Sequence, residues 1–181
     1  MRALTLTQPW CGLVASGIKL IENRPLSIIA REDFGTPFAL HASREIGESV
    51  YARIFEIAPE LPGRTPTEWG CRWHQLSRIT SAVIGIATVD KVFDGGWDEA
   101  SIARHTDMLS DSRGNLLGPE QVRWFFGPIG YVLRDVRALS TPVPCRGWQG
   151  FWHLTPAEQR QRGEISEVER AVTAQIAAVG P

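Results

Sequence analysis

Residues Ala3 to Leu6 alternate apolar and polar, the period-two signature of a strand, and Gln8-Pro9-Trp10 then opens a helix that Gly17 ends. Ile18 to Arg24 alternates again. It predicts a strand stopped by Pro25, with Ile18, Leu20, Glu22 and Arg24 on one side and Lys19, Ile21 and Asn23 on the other. Phe38 to Ser43 reads as the next strand, and Ser43 is placed to cap a helix carrying Ile46, Val50, Ile54 and Ile57 on one face. Thr65-Pro66-Thr67-Glu68 is a capping box. Trp69, Trp73 and Leu76 follow it at helical spacing to about Arg78 and predict a buried helix face. Ser81 to Phe93 is β-branched and apolar on both alternating faces, the pattern of a central strand covered on both sides.

From about residue 94 to 119 the chain turns polar and glycine-punctuated, which predicts an insertion with room for a helix from Asp98 to Met108. A short helix from Glu120 to Phe126 follows. Gly130 to Val136 and Val143 to Leu154 predict two strands joined through Ser140-Thr141-Pro142 as a closing hairpin. The tail repeats the capping device as Thr155-Pro156-Ala157-Glu158 and sets Ile165, Val168, Val172, Ile176 and Val179 on one stripe. Gly163 interrupts it, so two helical pieces are expected, packed on the core or on a partner. The division is a domain over residues 1–154 and a C-terminal helical extension over 155–181. Short strands interleaved with helices, without regular strand-helix-strand alternation, give an α+β class with a compact mixed barrel or sheet.

Composition narrows the function classes. The 181 residues are 43% hydrophobic and 22% charged, enough for one buried core and outside the range of disordered or fibrous chains. Net charge is −1, so no global positive field draws in nucleic acid and any such binding must be local. Only residues 61–80 lean basic, with Arg64, Arg72 and Arg78 against Glu68. Cys11, Cys71 and Cys145 are isolated, giving neither a disulfide framework nor a zinc site and pointing to a reducing cytoplasm. The N-terminal apolar run breaks too early for a signal peptide, and Ala82 to Val89 is shorter than the roughly 20 residues of a membrane span. The four histidines are scattered, and no glycine-rich phosphate loop or Gly-x-Ser-x-Gly elbow occurs, so no metal or cofactor is expected.

The densest polar constellation is Gly17-x-Lys19-x-x-Glu22-x-Arg24. Arginine donates to carbonyl and ring-nitrogen acceptors, glutamate accepts from an exocyclic amine, and lysine holds a phosphate or polarises a carbonyl. A solvated strand-end salt bridge uses the same residues. Around them, Trp10 is a stacking platform or a core residue. His41 and Ser43 stand where a phosphate can be met, or Ser43 simply caps a helix. Trp69 and Trp73 interleave with Arg72, His74 and Arg78 as in single-strand binders, or form an ordinary buried face. Arg146, Trp148 and Gln149 lie beside Gly147 and Gly150 in the closing strand, where low bulk admits a ligand to the backbone or a bulge forms.

Leu4-Thr5-Leu6-Thr7-Gln8-Pro9-Trp10 followed by the Gly17 to Arg24 pattern resembles the ASCH domain of the PUA-like superfamily. Gly127-Pro128-Ile129-Gly130-Tyr131-Val132-Leu133, Pro142-Val143-Pro144 and Gly147-Trp148-Gln149-Gly150-Phe151-Trp152 are similar to its closing strands, so the resemblance spans about residues 2–154. It implies a small PUA-like mixed β-barrel flanked by helices, with a cleft that binds RNA or a modified nucleoside. The ligand-binding set is then Trp10, Lys19, Glu22, Arg24, His41, Ser43, Arg146 and Gln149. The family includes amidohydrolases that deacylate N(4)-acetylcytidine, and other relatives are linked to ribonuclease activity. Either chemistry would make Lys19 and Glu22 the catalytic pair, with Glu22 as general base for water, although Glu22 stands where those amidohydrolases carry a threonine. A protein-interaction module built on the C-terminal helix is the third reading, and the pattern leaves the oligomeric state open.

Overall fold

The computed structural model describes residues 1–94 and 117–178. Its strands are β1 (Arg2–Gln8), β2 (Ile21–Arg24), β3 (Pro37–Ile46), β4 (Ala82–Asp94), β5 (Ile129–Pro144) and β6 (Phe151–His153). The helices are α1 (Trp10–Ala15), α2 (Glu48–Ile57), α3 (Arg72–Ser77), α4 (Pro119–Val122), α5 (Ala157–Gln161) and α6 (Glu167–Ala178). All six strands join one sheet in the order β2-β5-β4-β3-β1-β6, with β1 and β3 parallel and the other neighbours antiparallel. The class is α+β. The helix expected over 98–108 lies outside the described residues.

β2 ends that order and β1 lies near its other end, yet Arg24 of β2 donates from Nη2 to the Thr5 carbonyl of β1 at 2.9 Å. The sheet is therefore rolled toward a barrel. Among the described residues its seam, between β1 and β2, is bridged by side chains and not by backbone pairing. Register shifts help it bend: three interrupt β4 against β5, and one interrupts β3 against β4.

The central strand is β4, and its two apolar faces go to different cores. Ile84, Ala87 and Val89 face inward with Leu4, Leu6, Leu40, Tyr131 and Leu133, whereas Val83 and Ile86 face outward with Ala3, Ala39 and Leu154. The C-terminal extension covers that outer face. Val172 of α6 is fully buried there, with Val168 and Ile176 beside it, while Ile165 is exposed. Gly163, at φ +74°, separates α5 from α6 where the pattern placed an interruption.

Several expected elements differ. No closing hairpin forms, because β5 runs unbroken through Ser140-Thr141-Pro142 and β6 pairs with β1 instead, Ala3 opposite Trp152. Residues 139–142 pass through a register shift, and Gln175 of α6 occupies both the amide and the carbonyl of Thr141 at 2.9 Å each. That side chain replaces a ladder partner. β2 is shorter than its pattern, because the Ile18 and Lys19 amides both donate to the Leu13 carbonyl and extend the end of α1 as a turn. Ser43 caps nothing: it stays in β3, its hydroxyl donates to the Glu45 carbonyl, and α2 starts after Gly47. The capping box at Thr65 is formed, but it opens only the single 3-10 turn Pro66–Glu68, and α3 restarts at Arg72. Consequently Trp73 is buried and Trp69 is 44% exposed. α4 stops at Val122, short of Phe126.

Candidate ligand-binding cleft

Gly17, at φ +80°, turns the chain out of α1 in a conformation that a side chain resists. The turn drops Lys19 into the seam. Lys19 is 1% exposed, and its ammonium donates to Glu22 Oε2 at 3.0 Å and to the Ile21 carbonyl. Glu22 Oε1 lies 3.1 Å from Arg24 Nε, an ion pair without hydrogen-bond alignment, since that Nε has no hydrogen-bond partner. The carboxylate thus sits between two cations, and Arg24 reaches on to β1. Burial holds the Lys19 pKa below its ordinary value; Glu22 works against that shift and Arg24 adds to it.

The wall of this hollow is aromatic. Lys19 Nζ lies 5.7 Å from the Trp10 ring centre and 6.0 Å from that of Phe126, and the two rings are 5.5 Å apart. Asn23 fixes the wall, donating to the Trp124 carbonyl at 2.7 Å and accepting from the Phe126 amide at 3.0 Å. Trp10 also packs edge-on against buried Trp124, so it is part of the core as well as of the cavity wall. Trp10, Lys19, Glu22, Arg24 and Phe126 line a cavity of about 210 Å³.

Thr5, Thr7 and Arg24 also line a larger cavity of about 1040 Å³, which contains His41, Ser43, Arg44, Arg146 and Gln149 at its margin. Thr5 is its hub. The hydroxyl donates to the Trp148 carbonyl at 2.8 Å, accepts from Trp152 Nε1 at 3.0 Å and stands 3.3 Å from His41 Nδ1. His41 Nε2 faces the Cys145 carbonyl at 3.1 Å, which assigns the proton of the neutral ring to Nε2. Burial lowers the His41 pKa, and the Cys145 carbonyl partly offsets it. His41 and Thr5 together therefore pin the 145–150 loop that forms the rim. A Cβ on Gly147 would collide with the His41 ring, so the space that glycine leaves is filled by imidazole and not by a ligand. Arg146 lies 4.5 Å over the ring of Trp148, which is 55% exposed.

All eight residues singled out for ligand binding thus line two adjoining hollows. The pattern missed Thr5, Asn23, Arg44 and Phe126. Thr5 carried a signal as a polar position of an alternating strand; Asn23 and Phe126 are joined only by the fold. Among the described residues no group of three histidine, cysteine or acidic side chains converges to hold a metal ion, and no helix is long and apolar enough to cross a membrane.

No protein-family model matches the chain, and no curated protein matches it in sequence. Solved structures do align with it. The chain is similar to the crystal structure of ASCH from Zymomonas mobilis at 15% identity, over 89% of this chain and 91% of that one, with a TM-score of 0.46. It is also similar to a serine-to-alanine mutant of the Zymomonas mobilis protein at 16% identity, over 89% and 92%, with a TM-score of 0.43.

Proposed function

We propose that this chain is an ASCH-type, PUA-like domain that binds RNA or a modified nucleoside at the seam between β1 and β2. The observation that carries the reading is the Lys19–Glu22–Arg24 ladder, buried at the floor of a hollow with Trp10 and Phe126 as its wall. Surface ion pairs are solvated and worth little. These are not: Lys19 is 1% and Glu22 7% exposed, and the cavity gives their remaining hydrogen-bonding capacity a place to meet a ligand. A carboxylate acceptor beside guanidinium donors suits the edge of a base, and the aromatic wall suits its face. The inner hollow, about 210 Å³, falls below the roughly 300–1,000 Å³ of typical small-molecule sites and suits a base alone. The outer one, with Arg24, Arg44 and Arg146, suits sugar and phosphate.

The second reading is a hydrolase for an N(4)-acylated cytidine or an RNA phosphodiester. One observation favours it: a buried lysine with a lowered pKa is closer to the reactive neutral amine. Against it, each Glu22 oxygen already faces a cation, which makes the carboxylate a poor base for water. An interaction module built on the tail loses its stripe, because α6 spends Val172 on the sheet.

Titration of the full chain with cytidine, N(4)-acetylcytidine and short single-stranded RNA tests the reading. Binding at low salt that weakens with added salt and with Arg24→Ala is expected. Absence of binding across that panel overturns it. The hydrolase reading requires turnover that disappears in Lys19→Ala with the fold intact; background rates remove it.

A further inference from the structure

Beside the cleft lies a second hollow of about 420 Å³, bordered by Tyr51, Phe55, Arg64, Trp69, His74 and Arg78. Trp69 is preorganised there. It stacks flat on His74, ring centres 5.7 Å apart and planes 2° from parallel, and the residue remains 44% exposed. A large aromatic ring held on one face by a neighbouring ring and still well exposed is the form of a base-stacking platform. His74 is only 6% exposed, is surrounded by the rings of Tyr51, Trp69 and Trp73, and its Nδ1 has no hydrogen-bond partner. Burial and the Arg78 charge lower its pKa, a backbone bond with Trp69 acting the other way, so the ring is neutral at neutral pH.

The two hollows are neighbours. Arg44 and Glu45 line the first and Ile46, the next residue, lines the second, so one strand end separates them. Ser81 borders the first and Arg78 the second across the same gap. Along this surface Arg24, Arg44, Arg146, Arg64 and Arg78 stand against Glu45 and Glu48, in a chain whose net charge is −1. Gly63, Arg64, Trp69, His74 and Arg78 of the second hollow's lining come from the one stretch of the sequence that leans basic, residues 61–80.

We propose that the ligand is an extended single strand of RNA, one base of which passes the β3 end and stacks on Trp69 while another occupies the cleft. This deepens the cleft reading and rests on it. It separates a strand from a lone nucleoside: a nucleoside would use the cleft alone and leave Trp69 idle, whereas a strand spans both hollows with its phosphates along the arginines.

The test is calorimetric titration of the full chain with cytidine, a cytidine dinucleotide and a cytidine dodecanucleotide. The dodecanucleotide is expected to bind more tightly than the dinucleotide. Trp69→Ala should remove roughly 5- to 150-fold of dodecanucleotide affinity, the range of one base on one ring, and leave cytidine binding as in the parent. Trp69→Phe should restore most of that loss. Arg78→Ala should make the slope of log affinity against log salt shallower by about 0.7, one phosphate contact on a single strand. Melting curves establish that each variant is folded. Equal affinity for dinucleotide and dodecanucleotide, or a dodecanucleotide affinity that Trp69→Ala leaves unchanged, overturns the second site while the cleft stands. Absence of binding for all three ligands overturns the cleft and this inference together.

Discussion

Replacing Glu22 by glutamine isolates the electrostatics of the cleft, because the shape is kept and only the charge between Lys19 and Arg24 is removed. Lys19 is then a buried cation with an amide for a partner. Breaking one side of a buried ion pair costs about 3–5 kcal/mol. Here the cost has a ceiling, since Lys19 can release its proton: from an ordinary value of 10.5 to pH 7, at about 1.36 kcal/mol per unit, the ceiling is about 5 kcal/mol. At pH 10 the same arithmetic leaves about 1 kcal/mol. The sign follows from Lys19 binding its proton less tightly folded than unfolded, so stability rises with pH up to 10.5, and rises more in the variant, where Glu22 no longer opposes the shift. Urea unfolding of parent and Glu22→Gln at pH 7 and pH 10 reads both quantities. A deficit of about 3–5 kcal/mol at pH 7 that shrinks to about 1 at pH 10 is expected. Equal stability at pH 7, or a deficit that ignores pH, would refute the claim that Lys19 depends on Glu22.

Two further outcomes follow from the packing. Ending the chain after Leu154 uncovers Val83, Ile86 and Ala39 on the outer sheet face, and with Val172 fully buried there the loss should be at least about 3 kcal/mol, a melting shift of at least about 6 °C by calorimetry. An unchanged melting temperature would make the tail an appendage. His41, His74 and His153 all have pKa values below 6.5, chiefly through burial, so the unfolded chain binds more protons from 6.5 downward and stability must fall on acidification through that range. His41→Gln should flatten part of that fall in unfolding midpoints between about pH 7 and pH 5. An unaltered pH profile would show that burial does not hold the His41 pKa below its ordinary value in the folded chain.

Local pattern carried far in this chain. Alternation placed β1, β3 and the two-faced β4, proline and glycine bounded α1, and Gly163 divided the tail, because each of these depends on neighbours a few residues away. The ordered motifs from Leu4 to Arg24 also marked where polar groups would gather. Pattern failed where a distant group replaced a local one. Ser140-Thr141-Pro142 reads as a turn until Gln175, far along the chain, takes the Thr141 amide and carbonyl and lets β5 continue. Ser43 reads as a cap until β3 runs past it, and Trp69 reads as helical until the 3-10 turn at Pro66 ends and frees its ring.

Residue spacing alone established that Lys19, Glu22 and Arg24 lie close along the chain and that β4 must be buried on both sides, since both depend on bond geometry and a period of two. It left undecided whether those charges face water, because burial is a property of whatever covers a segment. That was settled by folding: the sheet rolls until β2 meets β1, and Asn23 draws residues 124–126 over the seam, so that Lys19 and Glu22 end buried, with the Lys19 ammonium against the Trp10 and Phe126 rings. The same rolling joins His41 of β3 to the 145–150 loop and sets Trp69 beside the end of β3, contacts between segments that no local signal connects.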